Sequence, residues 1–300
     1  MGTEGDSNPT SRVMDVLNFL AAHPTETFTL AEIARHVGLS NGSAHRVLTT
    51  MARSQFLSRD EKRRTYSLGV AMVAIGQAAI ERHHGVERAR REIARLAVEL
   101  DVQCSASTVA ADELMVLVRE GAPKSHLGLT RVGERRPLIP PVGFCHVAWA
   151  GEAAIEAYIG RVDAYLDETV RRHLRAAFPL IRRRGYAMSM AGPNGHHARQ
   201  VMAMPNGRPP DAAYWSSVFD LVGKLTPDEM QLFDIAAAGE AGISHITAPV
   251  FSASGTVSMQ LVITGMARDR SARDIESYAE RLCATAARIT SELHGRLPKA

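Results

Sequence analysis

The chain has 300 residues, 45% of them hydrophobic and 22% charged, with a formal net charge of +3. That length accommodates two domains with a buried core, and the composition excludes a disordered polypeptide. The small net charge excludes coating of nucleic acid by bulk charge, and three scattered cysteines (Cys104, Cys145, Cys283) argue against a disulfide scaffold or a zinc cluster.

The first ten residues read as a polar tail without a signal-peptide core. No apolar run approaches the ~20 residues that span a bilayer, so a reducing, cytoplasmic setting with no membrane partner is expected. Ser11 is placed as the cap of a first helix whose inner face carries Val13, Val16, Leu17 and Leu20. Thr29 and Glu32 fit a capping box, and Leu30, Ile33, Ala34 and Val37 recur at helical spacing behind it. Gly38 stands where a helix commonly ends in a left-handed residue, and Ser40 is a cap for the next helix. That helix should bury Ala44, Val47, Leu48 and Met51, which turns Gly42, His45, Arg46, Thr49 and Arg53 outward.

Phe56-Leu57 opens a short strand and Thr65-Tyr66-Ser67-Leu68 alternates as its return, with Ser58 to Arg64 as a charged tip between them. Two helices followed by a basic hairpin describe a winged helix. Between Ser40 and Arg64, six cations (Arg46, Arg53, Arg59, Lys62, Arg63, Arg64) face two anions (Asp60, Glu61), which supplies a local footprint for a phosphate backbone. The candidate DNA contacts are Ser40, Asn41, Ser43, His45, Arg46 and Thr49 on the helix, and Arg59, Lys62, Arg63 and Arg64 on the wing. The plain alternative for the wing is a solvated turn.

Val70 to about His83 is apolar on most sides and rich in Ala and Gly. Such a helix must be covered on most sides; cover from its own chain and cover from a partner chain stay equally open. A charged helix follows over 86–100. Strands are expected over 104–109 and 114–119 around a turn at Ala111-Asp112-Glu113, with more extended chain at 127–130. Val132-Gly133 turns the chain, and Pro137 to Pro141 cannot be helical. One helix is expected from Phe144 to about Tyr158, and an Arg-rich helix over 163–184 ending at Gly185. A strand at 186–190 precedes a Gly/Pro/Asn-rich loop over 191–210 with His196-His197. Two amphipathic helices come next, the first carrying Tyr214, Trp215, Val218, Phe219 and Leu221, the second opening at Thr226-Pro227-Asp228-Glu229. Strands at 245–251 and 257–264 flank a Ser252–Gly255 turn, and a long helix over 271–293 closes the chain.

The organisation read from this pattern is α+β: an N-terminal winged helix-turn-helix over 11–69, a linker helix over 70–85, and over 86–296 an antiparallel sheet flanked by helices. Both halves resemble the IclR-type bacterial transcriptional regulators. The resemblance is carried by LAEIARHVGLSNGSAHRVLTTMARSQFLSRD and YSLG in the first half, and by RVGERRPL, RRRGYA and ITAPVFSASGTV in the second. It implies a GAF-like effector and oligomerisation domain, a homodimer or homotetramer, a small-molecule effector and a palindromic double-stranded DNA operator. Effector binding would change dimer geometry and so the match to the two half-sites.

The sequence departs from the family pattern at several points. Asn41 and Gly42 stand where a basic residue and a Ser are common, and Pro140–Cys145 replaces a Leu-Gly-Lys-Ala type of stretch. His245 replaces a Cys, and Val262 and Thr264 replace a small polar pair. The segment 191–241 is longer than usual. The resemblance places Val142, Gly143, His245, Val262 and Thr264 at the effector pocket. Val262 makes that pocket more apolar, so an aromatic or longer aliphatic acid is expected, with repression favoured over activation. A protonated His245 would pair with a carboxylate; its other reading is a core histidine.

An enzymatic reading, a second domain that metabolises a small acid beside an N-terminal interaction module, is the alternative. It lacks a site. Adjacent Cys145-His146 reads as packing, Trp215 and Phe219 as core, and His83-His84 and His196-His197 lack a ligand partner at metal spacing. No catalytic residue, metal or cofactor is assigned.

Overall fold

The computed structural model describes residues 9–122, 131–194, 198, 200–205 and 210–298. The chain divides into two compact units, one running to His84 and the other built from Gly85–Met204 and Asp211–Ala300.

The first unit contains α1 (Pro9–Ala21), β1 (Phe28–Thr29), α2 (Leu30–His36), α3 (Asn41–Arg53), β2 (Leu57–Asp60), β3 (Thr65–Leu68) and α4 (Val70–Arg82). Helix α1 is already under way at Pro9, so Ser11 lies inside it and is not its cap; the rest of the expected tail lies outside the described residues. The capping box forms as expected. Thr29 N donates to Glu32 Oε2 at 2.7 Å, and Glu32 N donates back to Thr29 Oγ1 at 3.3 Å. Gly38 has φ +67°, and Ser40 Oγ accepts from Ser43 N at 3.3 Å. Val16, Phe19, Leu20, Ile33, Leu48, Met51, Leu57 and Tyr66 form the core. The strand order β1-β3-β2 adds a strand that periodicity did not reveal: β1 is two residues long and pairs Phe28 with Tyr66. The hairpin tip is also shorter than expected, because Ser58, Arg59 and Asp60 belong to β2.

The second unit contains α5 (His84–Leu100), β4 (Gln103–Ala110), β5 (Glu113–Glu120), β6 (Arg135–Pro137), α6 (Phe144–Val147), α7 (Glu152–Gly160) and α8 (Glu168–Arg184). It continues through β7 (Ala187–Met190), α9 (Ala212–Val222), α10 (Pro227–Met230), β8 (Ile243–Phe251), β9 (Val257–Thr264) and α11 (Ala272–Glu292). The six strands are antiparallel in the order β6-β5-β4-β9-β8-β7. One sheet face is apolar. Cys104, Ala106, Ile246, Ala248, Leu261 and Ile263 pack there with Ile93 and Leu96 of α5 and with Ala279, Leu282 and Ile289 of α11. A separate apolar cluster gathers Phe144, Ile155, Tyr158, Leu174, Phe178, Val218 and Met230 from helices α6–α10.

Several expectations need correction. The helix from Phe144 is two helices: the first ends at Val147, and the second starts at Glu152 after Gly151, whose φ of +91° lies outside helical geometry. The Arg-rich helix starts at Glu168 on an Asp167 cap, with Asp163–Tyr165 forming a separate 3-10 turn. Thr226 and Glu229 do form a capping box, yet α10 stops after four residues. The 191–210 stretch is not all loop, since Ala198, Gln200 and Val201 are helical and Ala198 and Met202 are buried. The extended chain expected at 127–130 and the pair His196-His197 lie outside the described residues. Among the described residues no helix is long and apolar enough to cross a membrane.

Candidate functional site

In the first unit, burial of Ala44, Leu48 and Met51 fixes the rotation of α3. Asn41, Gly42, His45, Arg46 and Arg53 are exposed as a consequence, with Ser43 and Thr49 half-buried at the margins. Ser40 is exposed but its hydroxyl is engaged as the helix cap. A Cβ built on Gly42 meets nothing within 4 Å, so the fold itself does not require a glycine there. On the wing, Asp60 organises the turn. Its carboxylate accepts from Arg63 N at 3.0 Å and Lys62 N at 2.9 Å, and these bonds hold it below its ordinary pKa. Arg64 adopts φ +54° to close the turn. The side chains of Lys62, Arg63 and Arg64 make no ion pair among the described residues, whereas Arg59 lies 3.4 Å from Glu61 and 5.8 Å above the Tyr66 ring. Of the candidate contacts, Asn41, His45, Arg46, Lys62, Arg63 and Arg64 are thus exposed, Ser43 and Thr49 are half-buried, and Ser40 and Arg59 are already partly committed within the fold.

The second unit contains a cavity of about 90 Å³ over the other sheet face. All five residues expected at the pocket, Val142, Gly143, His245, Val262 and Thr264, line it. Strand pairing explains why they meet. Ser105 lies opposite Val262, Val262 opposite Thr247, and Thr247 opposite Ala187. Two residues along, Gln103 faces Thr264, which faces His245; two residues the other way, Ser107 faces Gln260. Residues two apart point to the same side of a sheet, so these rows form one surface, and it is rich in Ser, Thr and Gln.

Gly143 has φ +91°, and a Cβ there would stand 2.2 Å from Leu138 Cδ1. Its role in the fold is conformational as well as spatial. The carbonyl of Val142 accepts from the buried Tyr158 hydroxyl at 2.8 Å, which fixes the adjoining backbone. His245 is half-buried, with Nδ1 3.3 Å from Ser244 Oγ.

Sequence reasoning missed the polar lining, namely Ser105, Ser107, Thr247 and Gln260 together with Arg136 and Glu229. Arg136 Nε donates to the buried Glu134 at 2.8 Å, so its charge is balanced locally. Glu229 accepts from Thr226 N at 3.0 Å and Asn194 N at 2.8 Å, which ties residue 194 to the cavity edge. Ala198, Met202 and Leu225 also line the cavity, so residues from the long segment contribute to the site.

The chemistry around Cys145 and His146 does not make a nucleophile and base. Burial pushes the Cys145 thiol up to about 12, and its Sγ donates to the Thr247 carbonyl at 3.3 Å. Burial pulls His146 down to about 4. Each group is held neutral, opposite to the thiolate and imidazolium of a catalytic pair. Among the described residues no group of three or more His, Cys, Asp or Glu side chains is placed to hold a metal ion.

A helix-turn-helix followed by a basic turn is the architecture of a DNA-binding transcriptional regulator, and the hollow polar face of the sheet unit is a candidate small-molecule site. Residues 9–61 match the IclR helix-turn-helix domain. The HTH-type transcriptional regulator KipR of Bacillus subtilis is 25% identical over 210 residues, 63% of this chain and 81% of its own length. Among solved structures, an IclR transcriptional regulator from Alicyclobacillus acidocaldarius shares the fold at TM-score 0.64 and 20% identity, covering 95% of this chain and 98% of its own. An IclR homolog from Microbacterium hydrocarbonoxydans, solved in complex with 4-hydroxybenzoate, shares it at TM-score 0.65 and 18% identity, covering 95% and 99%. HmgR of Pseudomonas aeruginosa shares it at TM-score 0.61 and 21% identity, covering 94% and 97%. Residues 9–61 thus carry an IclR-type helix-turn-helix domain, and the chain shares the α+β fold of the solved IclR regulators.

Proposed function

We propose that this protein is a repressor released by a small organic monoacid, aromatic or medium-chain aliphatic, that enters the sheet cavity. The observation that carries the reading is the contrast between the two faces of one sheet. A face meant only for packing is filled with Val, Ile and Leu, as the α5/α11 side is. The opposite face buries Ser105, Ser107, Thr247, Gln260 and Thr264, which a folding core disfavours unless their polar groups find partners. The remaining lining, Val142, Phe144, Val262 and Met202, suits an apolar ligand body. The 4-hydroxybenzoate bound by the Microbacterium homolog is a molecule of this kind.

In the same reading α3 enters the major groove. Asn41, Ser43, His45, Arg46 and Thr49 face the bases and nearby phosphates, Ser40 fixes the helix start, and Lys62, Arg63, Arg64 and Arg59 run along the backbone. An open Gly42 lets the helix backbone come close. Two such helices would read a palindrome if the chain dimerises. Helix α4 supports a homodimer or a higher homo-oligomer: Val70, Val73 and Ile75 are 67%, 71% and 48% exposed, an apolar surface that a second copy would cover. Repression is the simplest output, because occupying an operator needs no contact with polymerase. The ligand acts only in so far as it binds the DNA-free state more tightly than the DNA-bound state.

The test is selection of duplexes from a random pool by the full-length protein, followed by binding to the selected duplex with and without 4-hydroxybenzoate, benzoate and hexanoate. Specific binding weakened by one or more of these acids supports the proposal. Absence of any selected sequence removes the DNA arm, and indifference to every acid removes the ligand arm.

A further inference from the structure

Two buried atoms on the cavity face stand out. Ser107 is 1% exposed and Gln260 is 5% exposed, they face each other across β4 and β9, and both line the cavity. Neither Ser107 Oγ nor the Gln260 carboxamide oxygen has a hydrogen-bond partner among the described residues. Leaving a buried polar atom unpaired costs about 1–3 kcal/mol, and here two such atoms share one row of the sheet. The other end of the cavity is also polar, with Thr264 opposite His245. Val262 lies between the two ends on β9.

Gln260 and Thr264 are four residues apart on one strand, which separates the two polar rows by roughly 13 Å of backbone. Allowing about 2.8 Å for a hydrogen bond at each end leaves roughly 7 Å between the polar atoms of an occupant. A para-substituted benzene ring spans that distance, and so does a chain of five or six carbons. The nearby guanidinium of Arg136 is already balanced by Glu134, so the groups on offer at the Ser107 end are a hydroxyl and an amide, both uncharged.

We propose that Ser107 and Gln260 are specificity-determining residues that bind an uncharged hydroxyl at the end of the ligand remote from His245 and Thr264. The ligand is therefore an ω- or para-hydroxy acid, polar at both ends and apolar between. This assignment rests on the ligand reading given under Proposed function and adds the second polar group to it. A lone-pair acceptor on Gln260 favours a partner that can donate, which a hydroxyl does and a second carboxylate does not.

The experiment measures calorimetric affinity of the full-length protein for two matched pairs, benzoate with 4-hydroxybenzoate and hexanoate with 6-hydroxyhexanoate, and for the dicarboxylate terephthalate. The hydroxy member of at least one pair should bind 10-fold or more tightly than its partner, and terephthalate should bind no better than benzoate. Ser107→Ala with Gln260→Leu should erase the hydroxyl preference, so that the two members of each pair bind the variant equally, with a cooperative urea transition showing that the variant is folded. Equal affinity within both pairs would overturn the assignment and leave the monoacid reading standing; ordered water would then be what these two atoms hold. A preference that survives in the double variant, or terephthalate matching 4-hydroxybenzoate, overturns it as well. Absence of binding by every compound removes both readings.

Discussion

Replacing Lys62, Arg63 and Arg64 together by Gln should make DNA binding markedly less sensitive to salt. These three side chains are exposed and make no ion pair among the described residues, so their charge is available to phosphates. Each phosphate contact contributes about 0.9 to the slope of log K against log salt. Three contacts give a slope change of about 2.7 for each bound wing, and about 5.4 if two wings bind one duplex. Between 50 and 200 mM salt, the wild type should then lose roughly 40-fold more affinity per wing than the variant. Gln removes the charge while keeping an unbranched polar side chain, and suits the left-handed position of Arg64 no worse than Arg does. Asp60 still receives both turn hydrogen bonds, because they come from backbone N–H groups. Fluorescence anisotropy at five salt concentrations, on the selected duplex and on a scrambled one, reads both slopes. Equal slopes for wild type and variant would refute the phosphate role of the wing, and a loss confined to the selected duplex would show that these residues read sequence. Arg59→Gln should change the slope less, since Glu61 already competes for that charge.

Arg46→Ala should weaken binding to the selected duplex by about 1–3 kcal/mol while sparing the scrambled one, if the guanidinium meets a base edge; equal weakening of both, by anisotropy, reassigns it to a phosphate. Gly143→Ala should destabilise the protein by about 2–5 kcal/mol in urea unfolding, combining a positive φ with overpacking against Leu138. Leu138→Ala added to it should relieve the second part only; a Gly143→Ala protein as stable as wild type refutes this account. His146 is buried with its pKa lowered to about 4 from 6.5. Its neutral form is the folded one, so its contribution is intact above pH 6.5, declines as pH falls towards 4 and is lost below that. The shift corresponds to roughly 3 kcal/mol. Urea unfolding of wild type and His146→Phe at pH 7 and pH 4 should show that difference, and parallel acid loss in both proteins would count against it.

The parts of the fold legible in the sequence were those encoded by neighbouring residues. Thr29 with Glu32, Gly38 and Ser40 specify the turn between two helices through bonds spanning three or four residues, and all three signals are realised. The hairpin at Ala111-Asp112 was readable in the same way, and both residues do adopt positive φ. Strands β1 and β6 were hidden because they are two and three residues long and exist through pairing with distant partners. The start signal at Thr226 marked where a helix begins but held no information about its length. At the cavity, five residues were reached through the family resemblance, whereas Ser107 and Gln260 were passed over. Alternation had already placed 104–109 and 257–264 in strands. The missing step was to ask why the second set of alternating residues was polar yet buried, which depends on a register joining residues 153 positions apart.

The central strand β9 serves two masters by parity. Leu261 and Ile263 hold the helical side, while Gln260, Val262 and Thr264 look into the hollow. If the hollow takes the ligand proposed above, changes at even-numbered positions would alter its lining while Leu261 and Ile263 keep the helical side packed. On that reading, chemically distinct signals lie single-codon steps apart, with the architecture unaltered behind them.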